Sequence, residues 1–167
     1  NVAKALHVGH LRSANIGEAL KRLAEALGNK TISDVHLGDW GRPLGLVILE
    51  VKKRNPELVY FDENYTGEYP QSSPVTNEDL MEIYPTASIK AKEDEEYLEE
   101  ARDVTNKLQS GHKGYNELWK KILEVSIQDI KKNYDYLGAN FDLWLGESDS
   151  YNYLSELEQI LESKNLL

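Results

Sequence analysis

His7-Val8-Gly9-His10 leads directly into a helical pattern that continues through Leu11-Arg12-Ser13. Two imidazoles three residues apart share one face of a helical first turn. Gly9 lets a flat ring or a phosphate approach the backbone closely. The unpaired N–H groups of a helix start add partial positive charge. Together these features suit a nucleoside triphosphate, whose phosphates gain charge as pyrophosphate leaves. The four residues taken alone also fit two histidines that only cap a helix.

Downstream of His10, Ile16, Leu20, Leu23 and Leu27 form an apolar stripe at helical spacing, and Gly28 supplies a stop. Residues 30–37 read as a short strand with Ile32, Val35 and Leu37 apolar. Gly41 and Pro43 open a second helix to about Lys53. Its Leu44, Leu46, Val47, Ile48, Leu49 and Val51 are apolar nearly all round, which predicts a buried helix. Asn55 to Thr76 is rich in Pro, Gly, Ser and Tyr and reads as a long loop that begins an insertion. Thr76 and Asp79 suggest a cap for a helix over 77–84, which Pro85 is expected to interrupt. A helix is predicted from about Asp94 to Gln109, ending at Gly111. The strongest helix runs from about Tyr115 to Leu137, with Leu118, Ile122, Ser126, Ile130 and Tyr134 in one row and Gly138 closing it. Phe141 to Leu145 reads as a second strand and Asn152 to Ser163 as a last helix.

This order predicts an α/β fold with a doubly wound parallel sheet and a mostly helical insertion. The expected divisions are 1–54, the first part of the sheet domain; 55–114, the acidic insertion; and 115–167, the continuation of the sheet domain. A chain of 167 residues is one domain, or one with an inserted subdomain, and is long enough to bury a core. It has no cysteine, which excludes disulfides and thiolate metal sites. No apolar run approaches the roughly 20 residues of a membrane helix, so a cytoplasmic location is expected. The net charge of −10 is uneven. Residues 1–54 hold nine Lys and Arg against five Asp and Glu, whereas residues 55–167 hold ten against 24. The basic part carries the paired histidines, as a phosphate site should. The acidic part is a poor surface for a polyanion and also reads simply as solvated helix faces.

A second block, His36-Leu37-Gly38-Asp39-Trp40-Gly41, adds to the first. Further stretches are Leu80 to Ala87 (LMEIYPTA), Ala101 to Gly111, Leu118-Trp119 and Phe141 to Ser148 (FDLWLGES). In this order and spacing the chain resembles the arginyl-tRNA synthetases, class I aminoacyl-tRNA synthetases with an H-x-G-H signature. The resemblance runs along the whole chain and implies a piece of an enzyme, on a Rossmann-like sheet whose first strand would end just before Asn1. It implies that arginine is joined to ATP to give arginyl-adenylate and then transferred to tRNA(Arg), with Mg²⁺ accompanying ATP. No His, Asp and Glu cluster in the sequence has convincing metal-ligand spacing.

The resemblance also implies site roles. His7 and His10 would donate hydrogen bonds to phosphate oxygens as charge shifts to pyrophosphate. His10 would also contact arginine. Asn1 matches the Asn of the family's S-P-N segment, which helps hold the amino acid. Lys4 would neutralise phosphate charge; the alternative is a solvated surface lysine. Gly9, Gly38 and Asp39 would complete the ATP site. For Gly38-Asp39-Trp40-Gly41 the alternative is a tight turn with a core tryptophan. The family often continues with Thr-Gln where this chain has Arg42-Pro43, so a Gln contact is not carried over. His36 reads as structural and His112 as an exposed loop residue. The family's arginine-reading Tyr and Asp, its second signature loop and its tRNA-reading terminal domains are expected outside this stretch. Rival readings are another H-x-G-H nucleotidyltransferase and a non-enzymatic helical interaction module. Two short strands would leave apolar helix faces uncovered, so self-association of the chain is also expected.

Overall fold

The computed structural model describes residues 2–166. Its helices are α1 (Val8–Ala26), α2 (Arg42–Arg54), α3 (Asn77–Glu93), α4 (Glu95–Gln109), α5 (Lys113–Leu137), α6 (Glu147–Ser150) and α7 (Leu154–Ser163). The interior is built round α2. All its residues from Leu44 to Val51 are buried, against α3, α4 and α5. Leu80, Ile83 and Ala87 of α3, Ala101 and Leu108 of α4, and Leu118 and Ile122 of α5 complete this core. The all-round apolar pattern of α2 therefore has the burial it predicts.

Two glycines allow the close packing. A Cβ on Gly45 would lie 1.9 Å from the Thr105 hydroxyl oxygen and 2.9 Å from the Ala101 carbonyl oxygen, so α2 and α4 touch at backbone distance. A Cβ on Gly114 would lie 2.0 Å from the Tyr60 carbonyl oxygen, where a 3₁₀ turn at Val59–Phe61 meets α5. A carboxylate lies inside this bundle. Glu50 on α2 accepts from Lys90 of α3 at 2.9 Å, from the Tyr97 hydroxyl of α4 at 2.8 Å and from Arg54 at 3.0 Å. Burial alone pushes the Glu50 carboxyl up, but the bonds from Lys90, Tyr97 and Arg54 outweigh it and hold the group below the usual carboxylate range.

The predicted caps form. Thr76 and Asp79 make a reciprocal capping box on α3, and Gly138 closes α5 in the left-handed region with φ 66°. Pro85 does not interrupt: α3 runs through it to Glu93. Pro85 is exposed, so its ring meets solvent and not packed side chains.

The predicted parallel, Rossmann-like sheet is not present. Among the described residues no strand forms; residues 31–37 and 141–146 meet only in two isolated parallel bridges, Asp34 with Leu143 and Leu37 with Gly146. Side chains take the places that a ladder would give to carbonyls. The Ser33 N–H donates to the Asp142 carboxylate at 2.8 Å, and the Leu145 N–H to the Asp34 carboxylate at 3.1 Å. His36, between the bridges, has φ 45°, which breaks the extended run. The apolar residues that suggested strands are in place, but these carboxylates interrupt the pairing between the two bridges.

Helix α1 forms as expected, yet its stripe faces outward. Ile16, Leu20, Leu23 and Leu27 are all more than half exposed, and Ala14 is the buried residue of the helix. The inward side carries little more than Ala14 and a half-buried Leu11, and further along the helix the ties are polar. Glu18 accepts from Lys21 at 2.8 Å, from Arg22 at 2.6 Å and from the Asn140 N–H at 3.2 Å. Arg22 donates to the Gly138 carbonyl at 2.7 Å, and Lys21 to the Asn140 carbonyl. The bond with Lys21, with those of Arg22 and Asn140, draws the Glu18 carboxyl down to about 2.

Candidate functional site

His7 is the N-cap of α1, with extended backbone at φ −119° and ψ 171°. Its Nδ1 accepts from the Gly9 N–H at 3.0 Å. His10 reaches back, and its Nδ1 accepts from the His7 N–H at 3.2 Å. The pair makes a capping box out of imidazoles, with ring centroids 3.9 Å apart. The capping alternative from sequence is thus observed, and it has a chemical consequence. A ring nitrogen that accepts an N–H carries no proton, so each neutral ring keeps its proton on Nε2. Both Nε2–H groups are left to donate elsewhere. Burial first, then the nearby His7 and the Lys4 charge, hold the His10 imidazole below its usual pKa of 6.5.

Gly9 is needed for this geometry. A Cβ there would stand 2.8 Å from Cε1 of His7 and press on the ring that folds back over the helix start. His10 also borders a cavity of about 310 Å³ whose lining includes Ser13, Ala14, Asp34, Val35, Tyr134 and Phe141. Lys4 is half-buried, and its ammonium lies 5.7 Å from the centroid of the Tyr84 ring. Asn1 lies outside the described residues.

The Gly38-to-Gly41 turn is held by contacts of its own. Asp39 is buried, and its carboxylate accepts from the Ser148 N–H at 3.0 Å and the Ser148 hydroxyl at 2.6 Å. It caps the start of α6 from a distant part of the chain. A Cβ on Gly146 would lie 2.3 Å from that carboxylate, so glycine is required beside it. The Asp39 carbonyl accepts the Trp119 indole N–H at 2.7 Å, and the Trp40 ring lies edge-on to Trp119 at 5.2 Å. Gly38 and Asp39 do not border the His10 cavity. The structure thus joins His7, Gly9 and His10 in one turn, while Asp39 spends its carboxylate on Ser148.

His36 is exposed and pairs with Asp34 at 3.3 Å. His112 is half-buried and caps α5, accepting from the Tyr115 N–H at 3.3 Å, where an exposed loop residue was expected. Ser148 was visible only as part of a motif, because nothing in the local sequence pairs it with Asp39. Among the described residues no group of three or more His, Asp or Glu side chains is arranged to hold a metal ion. Among them, too, no helix is long and apolar enough to cross a membrane.

The chain matches the family of class I tRNA synthetases (R), catalytic domain, along residues 1–167, and it belongs to that family. It is 52% identical to the arginine–tRNA ligase of Agathobacter rectalis over 164 residues, which is 98% of this chain and 28% of that protein. It is 50% identical over all 167 residues to the arginine–tRNA ligase of Francisella tularensis subsp. novicida, covering 29% of it. The chain thus spans less than a third of the length of these relatives.

Proposed function

We propose that this chain is the part of an arginine–tRNA ligase that grips the phosphates of ATP while arginyl-adenylate forms. The observation that carries the reading is the reciprocal imidazole cap, which leaves two Nε2–H donors side by side at a helix start. In the reaction the arginine carboxylate attacks the α-phosphorus and the bond to pyrophosphate breaks. The nucleophile is already ionised, so no general base is required. Charge moves onto the departing phosphates, and fixed donors there act on the transition state more than on the ground state. His7, His10 and Lys4 fill the catalytic role. Gly9 and the Gly38-Asp39 turn shape the ATP site, Asp39 through its turn, since its carboxylate is committed to Ser148.

Asn1 and His10 bind arginine in this reading. The guanidinium needs a planar, bidentate acid for discrimination from lysine, and Asp39 does not offer one. The chain alone therefore does not select arginine over lysine. The transfer to tRNA(Arg) draws on parts of the enzyme outside this stretch. Mg²⁺ would enter with ATP and offset part of the phosphate charge. The setting is cytoplasmic.

The test is ATP–pyrophosphate exchange in the full-length enzyme carrying this sequence. His10→Ala should lower the exchange rate on the order of 10²-fold, the usual loss for one transition-state donor. An unchanged rate would overturn the reading.

A further inference from the structure

The buried row of α5 is apolar except at one place. Leu118, Ile122, Ile130 and Tyr134 share it with Ser126, which is 3% exposed. A residue there only to pack against its neighbours needs no hydroxyl, and a buried hydroxyl needs a partner. Its partner is remote in sequence: Ser126 Oγ accepts from the Ala3 N–H at 3.0 Å. Ala3 is itself 1% exposed and stands at φ 60°, in the left-handed region that alanine rarely occupies. A strained residue persists where its surroundings over-determine it, and such residues gather at functional sites. Ala3 is followed at once by Lys4, whose ammonium lies over Tyr84 of α3, and then by the run to the His7 cap.

We infer that Ser126 is a positioning residue for the nucleotide turn: by holding the Ala3 N–H it fixes the strained backbone that presents Lys4. This rests on the phosphate-binding reading of Lys4, His7 and His10. Without the hydroxyl, the Ala3 N–H is buried and unpaired, and alanine relaxes toward negative φ. The direction of the chain at Lys4 then changes, while α5 keeps its apolar row. Small misplacements of this kind have large effects on rate, because fixed donors work only in one geometry.

The experiment uses the full-length enzyme and ATP–pyrophosphate exchange. Ser126→Ala should lower the rate by roughly ten- to a hundredfold. Two further variants separate positioning from simple packing. Ala3→Gly in the Ser126→Ala background should recover most of the loss, because glycine takes φ 60° without help. Lys4→Ala should remove nearly as much activity alone as together with Ser126→Ala, because both changes break the same device. A full rate in Ser126→Ala overturns the inference. So does a loss that Ala3→Gly fails to repair and that simply multiplies with Lys4→Ala. His10→Ala, run beside them, keeps the cases apart. If it retains full exchange, the phosphate reading itself is wrong; if it falls and Ser126→Ala does not, only the role of Ser126 is.

Discussion

Helices α1 and α2 both start at a glycine-containing turn from one of the two signature blocks, and they are held in opposite ways. In α2 every residue from Leu44 to Val51 is buried, and no side chain caps its start at Gly41. In α1 only Ala14 is buried, yet its start is capped by two imidazoles, and its far half is tied by Glu18, Lys21 and Arg22 to the turn after α5. The contrast separates two tasks. Stability resides in the α2–α5 bundle, where apolar area leaves water. In the proposed reading the chemistry is displayed on α1, which hydrogen bonds and ion pairs aim but do not bury. Elements that bind ligands are commonly drawn from the less stable part of a fold.

Substitutions of matched kind should make that difference measurable. The largest effect is expected inside α2. Ile48→Ala empties a fully buried site and should cost about 2–5 kcal/mol in urea unfolding. Glu50→Ala should follow at about 3 kcal/mol, because it leaves Tyr97 without its acceptor and opens a void; Lys90 and Arg54 can still turn to water. If either change proves neutral, the bundle is not where stability lies.

Acid should act on α1. The folded-state pKa of Glu18, about 2, lies below its ordinary 4.5. A depressed carboxylate adds stability that is complete above the ordinary value and is lost as pH falls toward the folded one. Contacts of α1 with residues 138–140 should therefore loosen as pH drops from about 4.5 to about 2, and Glu18→Gln should abolish that part of the profile. Carboxyl chemical shifts along an acid titration would report it. Leu20→Ala should have the smallest effect, within about 0.5 kcal/mol, since that side chain already faces solvent. A loss of several kcal/mol there would erase the distinction between the two helices.

The unequal legibility of the chain has the same origin. Regular burial leaves a period in the sequence, so the row from Leu118 to Tyr134, the all-round apolarity of α2 and the caps at Thr76 and Gly138 were readable. The stripe of α1 was readable as a helix but not as an outward face, because period alone does not say which side is covered. Residues 30–37 and 141–145 carry the short apolar segments of strands, and no rule of periodicity announces that Asp34 and Asp142 will take the N–H groups a sheet needs. At the site, the histidine pair was visible from its spacing. Its reciprocal capping was not, because that depends on which nitrogen meets which N–H. The pairs Asp39–Ser148 and Ala3–Ser126 join residues more than a hundred positions apart and leave no local signal.

Phosphate binding as proposed needs both imidazoles as Nε2–H donors, held in that tautomer by the helix start they cap. Long-range ¹H–¹⁵N spectra of the histidine rings, with only four histidines in the chain, test this directly. At neutral pH His7 and His10 should both show the Nε2–H form. As pH falls below 6.5 His10 should resist protonation relative to a free histidine, and when it does take a proton on Nδ1 the His7 N–H should lose its protection. Either ring in the Nδ1–H form at neutral pH, or His10 protonating above 6.5, would contradict the account.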